Sequence, residues 1–449
     1  MSDFAELSTE TEPDFSPGYA GRRLKAAFAL SLLWSGTVFL HLVTWGEWAV
    51  LSITALMGVH AVRVGLARSR PLPQPLPSHF AHPVSAAEAQ AWPYLSLLVA
   101  AKNEEAVIAK LVESLLRLDY PPQRYDLWVV DDHSTDRTPE ILKQLAQQYP
   151  RLQVIRRGPD AIGGKSGALN QVWPRTKGSL LAVFDADAQV PTDLLRQLVP
   201  MFTENVGAVQ ARKAIVNPEI NFWTQGQVAE MALDAYFQEH RTAIGGIGEL
   251  RGNGQFVRRE ALIQCGGWNE ETITDDLDLS IQLHLNRWDI ELLFAPAVGE
   301  EGVVRTRSLW HQRNRWAEGG FQRYLDYWRP LARNGLGWQK SIDMVGFWLI
   351  QYLLPAVAIP DLALSIVRHR LPIFSPLTSL AVSMSCWGMF TTLRRTQKMP
   401  VPLAVLYTVR GTLYMFHWLV VIATTTVRIS VRPKRLKWVK TVHGGDGRG

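Results

Sequence analysis

The sequence predicts an α/β protein, a mostly parallel sheet covered by helices and flanked by transmembrane helices. Three observations predict it. Between residues 94 and 325, short apolar runs alternate with stretches of helix length, the pattern of strands joined by crossover helices. Long apolar runs lie on both sides of that segment, so the mean hydropathy of −0.02 averages two different environments. Acidic clusters fall at the ends of apolar runs, where open α/β sheets bind ligands.

Residues 1–20 are polar and acidic with Pro and Ser, and read as a disordered N-terminus. No cleavable signal is evident, since no small-residue site clearly follows the first apolar run. Residues 26–45 carry no formal charge and match the roughly 20 helical residues that cross a bilayer. A second run, 48–66, holds Arg63 near its end. Arg22, Arg23 and Lys25 precede the pair, Arg63, Arg68 and Arg70 close it, and only Glu47 lies between. The positive-inside rule then predicts a hairpin over residues 21–67 with both ends in the cytoplasm. A buried helical hairpin of a soluble protein would show the same apolar runs. Residues 68–93, rich in Pro at 71–77, read as a linker.

The globular segment, 94–325, holds the strand candidates 95–101, 127–130, 152–155, 179–184 and 206–210. Residues 326–343, with Trp328, Trp338, Arg329, Arg333 and Lys340, suit a helix at a membrane surface. Transmembrane segments are expected over 344–427: a run at 344–359 with Pro355, a long uncharged run at 371–393, and a run at 401–427 broken by Arg410. Arg394, Arg395 and Lys398 place the end of the middle run inside. The basic tail, 428–449, also belongs inside, and three full spans cannot satisfy both. Either the Pro-containing first run or the Arg410-containing last run is therefore interfacial or re-entrant.

Lys and Arg outnumber Asp and Glu by 47 to 41. The excess gathers in Arg428, Arg432, Lys434, Arg435, Lys437 and Lys440, beside an apolar run. No nucleic-acid motif accompanies it, so the expected partner is anionic membrane lipid and not nucleic acid. Several of the 17 Trp sit near the ends of the apolar runs, as interface aromatics do. Cys265 and Cys386 lack metal-ligand spacing and imply no disulfide framework, which fits a cytoplasmic globular part.

Five constellations carry candidate chemistry. Asp131 and Asp132 follow the apolar strand at 127–130 and could hydrogen-bond a ribose or a base edge; they also suit a helix cap before Pro139. Gly163-Gly164-Lys165-Ser166-Gly167 is not a Walker A motif. As a glycine turn entering a helix it offers free N–H groups and a lysine charge to phosphate, or else is an ordinary turn with a solvated lysine. Asp185 and Asp187, two apart after the strand at 179–184, can both reach one hard cation such as Mg2+ or Mn2+. In Thr274-Asp275-Asp276 the threonine reads as an N-cap, placing both carboxylates in a helix's first turn. There Asp276 suits a general base or is simply favourable helix charge. Gln312, Arg315 and Trp316, at i, i+3 and i+4, share one helix face and suit a sugar diphosphate; an amphipathic surface helix would hold the same residue types.

The order Asp-Asp, Gly-Gly-Lys, Asp-x-Asp, Thr-Asp-Asp, Gln-x-x-Arg-Trp resembles the family 2 glycosyltransferases over roughly residues 94–320. The resemblance implies a GT-A type nucleotide-sugar-binding domain and an inverting transfer. It gives Asp131 and Asp132 to uridine, Lys165 to the diphosphate, and Asp185 and Asp187 to metal and donor. Asp276 would be the base, with Gln312, Arg315 and Trp316 at the acceptor entrance and leaving diphosphate. Two departures stand out: Thr-Asp-Asp replaces the Thr-Glu-Asp of polysaccharide synthases, and Arg251-Gly252-Asn253-Gly254-Gln255 lacks the aromatic-rich run of cellulose synthases. The strings at 100–105 and 163–170 are most similar to cyanobacterial members that move glucose from UDP-glucose to 1,2-diacylglycerol. The expectation is such an enzyme, integral to the plasma or thylakoid membrane; a processive polysaccharide synthase is the alternative.

Overall fold

The computed structural model describes residues 21–80 and 92–431; the expectations for 1–20, for 81–91 of the linker and for the tail from 432 fall outside the described residues. The chain opens with α1 (Arg22–Leu42) and α2 (Gly46–Gly65), followed by an extended stretch laid on the globular domain, where Arg196 Nε donates to the Leu76 carbonyl (2.8 Å). In order come β1 (Leu95–Ala101), α3 (Ile108–Leu116), β2 (Tyr125–Asp131), α4 (Thr138–Gln148), β3 (Leu152–Arg156) and α5 (Gly164–Val172). Then follow β4 (Leu180–Phe184), α6 (Leu194–Leu198), β5 (Val206–Ile215), α7 (Phe222–Ala243), β6 (Gln255–Arg258), α8 (Arg259–Gln264), α9 (Asp275–Leu285) and β7 (Asp289–Glu300).

The sheet runs β3-β2-β1-β4-β6-β5-β7, and only β6 is antiparallel to its neighbours. Side chains alternate along β1: Leu95, Leu97 and Val99 enter the core layer with α3 and α4, while Leu98 and Ala100 enter the layer with α5 and α9. Both faces of the central strands are covered, so β1 and β4 read as unbroken apolar runs and were legible. Neither β6 nor β7 was among the expected strands. β6 is only four residues long and ends in arginine, and β7 begins with alternating Asp and Glu.

Beyond the sheet lie α10 (Thr306–Asp326), α11 (Trp328–Ala332), α12 (Trp338–Trp348), α13 (Leu354–Arg368), α14 (Ser375–Thr396), α15 (Val401–Met415) and α16 (His417–Val431). The single surface helix expected over 326–343 does not form. Asn334 and Gly337 adopt positive φ, which turns the chain after α11, and the first turn of a transmembrane-length helix already begins at Trp338. A π-helical turn, Leu349–Leu353, joins α12 to α13. Among the described residues four helical stretches are long and apolar enough to cross a membrane: Arg22–Leu42, Gly46–Gly65, Trp338–Arg368 and Val401–Val431.

α1 meets α10, while α14 and α15 pack onto α7. Its N-terminus is fixed by a capping box between Asn221 and Thr224. Gly226 leaves room for the Tyr414 ring and Gly411 for Ala229, so α7 and α15 approach closely.

Candidate active site

At the carboxyl ends of β1, β4 and β5 the chain encloses a cavity of about 1150 Å³. Lys165, Asp185, Asp187, Asp275, Asp276, Gln312, Arg315 and Trp316, seven of them from the expected site, all line it. Asp185 and Asp187 follow directly on β4. Lys165 enters from the first turn of α5, whose cap Gly163 has φ +82°, a conformation glycine adopts without penalty. Lys165 Nζ lies 2.6 Å from Asp185 Oδ1. Burial opposes its charge, but Asp185, Asp275 and Asp276 outweigh burial and hold the ammonium protonated.

The Asp187 carboxyl is pushed up to about 7, first by burial, then by Asp185 and by Glu300 at the end of β7. Crowded carboxylates of this kind are relieved by a cation. Among the described residues no cluster of three or more His, Cys, Asp or Glu forms a closed cage. Asp185 and Asp187 therefore fit a hard ion whose remaining ligands are water and substrate phosphate.

Asp275 and Asp276 occupy the first turn of α9 as expected, and the Leu277 N–H donates to Asp276 Oδ1 (2.9 Å). Both carboxyls are raised, chiefly by burial; for Asp276 the Asp275 charge adds to it. Thr274 stands at the N-cap position as expected, though its hydroxyl makes no capping bond. The side chain is pressed instead against Gly319 of α10, where any methyl group would collide with it. A Gly319→Val variant should fold but displace the start of α9, lowering kcat by on the order of tenfold or more while donor binding persists; unchanged kcat would show that the contact does not position Asp276. Asp278, the last acid of the string, serves structure: it accepts from Asn269, Gln282 and the Tyr327 hydroxyl.

Gln312, Arg315 and Trp316 share the cavity-facing side of α10. Burial lowers the Arg315 guanidinium and Asp185 partly restores it, which places Arg315 in the field of the acidic cluster. Asp131 and Asp132 are buried at the end of β2 and do not line the cavity. Asp131 accepts from the Ser134 N–H (3.0 Å) and pairs with Arg156, and Asp132 pairs with Arg157 (2.6 Å) and Lys102 (3.3 Å).

Several cavity residues lay outside the expected site. Lys213, inside β5, pairs with Glu300 (3.1 Å) and lies 5.3 Å from the Trp316 ring centroid. Arg251 bridges Asp234 (2.8 Å) and Glu249 (3.0 Å), and Gly252, φ +79°, lies beside Asp276. Glu249 also binds Arg323, and the arginines around it overcome burial and hold its carboxyl well below the usual range. Their partners come from separate elements, which no local motif reveals.

The chain belongs to glycosyl transferase family 2, whose model matches residues 96–266. It is 58% identical over 436 residues to the beta-monoglucosyldiacylglycerol synthase of Nostoc sp. strain PCC 7120, covering 96% of this chain and 91% of that protein. It is 54% identical over 443 residues to the synthase of the same name from Synechocystis sp. strain PCC 6803, covering 96% and 90%. A mannosyltransferase from Pyrobaculum calidifontis, solved with GDP-Man and Mn2+, shares the fold with a TM-score of 0.56 at 18% identity, over 88% of this chain and 99% of that one.

Proposed function

We propose that the protein transfers glucose from UDP-glucose to the free hydroxyl of 1,2-diacylglycerol, giving β-monoglucosyldiacylglycerol and UDP. The observation that carries this reading is the continuity of the cavity. Its polar end holds the carboxylates, and its other end runs between α13 and α14, where Leu354, Ala358 and Val382 line it together with Ser375, Thr378, Ser379 and Ser385. The names of the relatives agree with the lipid acceptor.

In this reading Asp276 accepts the proton of the acceptor hydroxyl as its oxygen attacks the anomeric carbon. The bond from that carbon to the diphosphate breaks, and its electron pair leaves with UDP. Attack opposite the leaving group inverts the centre, so an α-linked donor yields a β-glucoside. Lys165 and Arg315 face the developing charge on the diphosphate, and Asp132 acts on the nucleotide end of the donor site only through Lys102, which lines the cavity. Asp185 and Asp187 would hold Mg2+ or Mn2+, which when bound neutralises the departing diphosphate. Gln312 and Trp316 border the acceptor entrance. Purified protein given radiolabelled UDP-glucose, diacylglycerol and Mg2+ should yield a labelled lipid; label in polymer, or free UDP alone, would retire the reading.

The same reading places the catalytic domain in the cytoplasm. α1 and α13 leave the domain side by side, with Trp34 Nε1 donating to the Ala356 carbonyl (3.0 Å) and His41 against Asp361 (2.7 Å). The turns after α1 and α13 lie at one far end, where Arg370 meets Glu47 (3.6 Å). α2 and α14 return to the domain, bringing His60 to Asp343 and Arg395 to Glu239. The stretch 401–431 differs: Arg410 meets Gln225, Tyr414 meets Glu230, Thr425 meets Asn314 and Arg428 meets Glu318, all partners on α7 or α10. Its first half lies on α7, while its second half also packs against α1 and α13; with Leu413 and Val427 exposed, we take this stretch as the interfacial run. All the basic ends then stay inside, and the tail meets anionic lipid. Single cysteines at Leu371, in the far turn, and at position 443, in a background lacking Cys265 and Cys386, should report this: 371 should label from the outside and 443 should not, and outside labelling of 443 would overturn it.

A further inference from the structure

The cavity runs on past the carboxylates into an arm between α13 and α14, lined by Leu354, Ala358, Leu362, Val382 and Met389 with the hydroxyls of Ser375, Thr378, Ser379 and Ser385 among them. Leu362 on α13 and Val382 on α14 line it and remain 55% and 38% exposed, while Ile359 and Ile366 of the same α13 surface face outward. The rim of the arm thus meets the lipid-facing side of the bundle. At the far end the one carboxylate, Asp361, is already engaged by His41, the Ile373 N–H (2.9 Å) and the Phe374 N–H (3.2 Å), so no charge is offered to an occupant. Between the polar and apolar parts stands Gln351, in the π-helical turn. Its Oε1 is buried without a hydrogen-bond partner, and the side chain lines the cavity. π-turns recur at functional sites because the extra residue re-aims a side chain, and a buried orphan amide atom costs free energy until a ligand meets it.

We infer that the arm between α13 and α14 seats the acyl chains of the acceptor, which enters sideways from the bilayer past Leu362 and Val382. The Gln351 amide meets the glycerol ester level. This rests on the acceptor being diacylglycerol. The order along the cavity then matches the order along such a lipid. The hydroxyl reaches Asp276, the ester carbonyls accept from the Gln351 amide, whose two ends exchange by rotation, and the chains lie against Leu354, Ala358 and Met389. Lateral entry also keeps the chains out of water during loading, which exposes no apolar surface.

The test uses the full chain in phosphatidylcholine nanodiscs, with dipalmitoylglycerol and dioctanoylglycerol as acceptors. Ala358→Phe fills the arm beyond the glycerol. It should lower kcat/KM for the long-chain acceptor by about tenfold or more and change the short-chain value little, with UDP-glucose binding intact. Gln351→Leu should raise KM for both acceptors alike and leave the donor KM unchanged. A diacylglycerol carrying a diazirine on one chain should crosslink to residues 354–389. Equal loss on both chain lengths, or crosslinks confined to α1 and α2, would overturn the inference while leaving the transferase reading in place. If the wild type glucosylates neither acceptor, the functional reading itself fails, and the crosslinked peptide still decides whether lipid occupies the arm.

Discussion

Asp276→Asn is expected to lower kcat by on the order of 10²–10⁴-fold, the range that a positioned base contributes, with UDP-glucose binding retained. The substitution keeps the side chain's shape and the bond from the Leu277 N–H, so α9 should start where it does now. What is lost is a lone pair basic enough to take the hydroxyl proton. The same residue fixes the sign of the pH dependence. Burial and the Asp275 charge raise its carboxyl above the ordinary value, near 3.9 in an unperturbed aspartate. Activity requires the ionised form, so it is present above the raised value and lost as pH falls through it. The acid limb of the kcat profile should therefore lie well above pH ~4. Removing the neighbouring charge with Asp275→Asn should move that limb downward. An acid limb unaffected by Asp275→Asn would mean that another group is being titrated, and full activity in Asp276→Asn would remove Asp276 from the mechanism.

Legibility followed from how local each signal is. β1 could be read to the residue because both of its faces are buried, which leaves one apolar run with sharp ends. Asp185, Asp187, Asp275 and Asp276 could be read because each pair sits beside a strand end or helix start, and that junction alone carries them to the cavity. Lys213, Glu300 and Arg251 could not, since their meaning arises only when β5, β7 and the loop before β6 come together. Thr274 shows the limit of a local rule. A threonine before two acids is good capping chemistry, but the proximity of Gly319, 45 positions away, decided its rotamer. The membrane part was harder still: residues 401–431 have the composition of a span, and their partners Gln225, Asn314 and Glu318 sit on α7 and α10, elements that no local reading connects to them.

Removing divalent cations is expected to abolish transfer, and Mg2+ or Mn2+ should restore it. The argument begins with charge. Asp185, Asp187 and Glu300 converge on one side of the cavity, against Lys165 and Lys213, and burial with those neighbours already pushes Asp187 up to about 7. A diphosphate brought into that place would add further negative charge beside the acids, so the lysines alone leave the site unbalanced. Two carboxylates at the end of β4 plus phosphate oxygens supply the hard donors that a small divalent ion takes. Asp187→Asn should therefore cost on the order of 10³-fold in kcat/KM, several kcal/mol of charge stabilisation at ~1.4 kcal/mol per tenfold. It should also abolish the metal-dependent part of UDP binding measured by calorimetry, a readout independent of turnover. Asp278→Asn, in the same acidic string as Asp276 but bonded to Asn269, Gln282 and Tyr327, should leave metal-dependent UDP binding unchanged. Transfer that survives exhaustive chelation, or Asp187→Asn protein that binds UDP as the wild type does with and without metal, would show that the lysines and Arg315 carry the leaving group unaided.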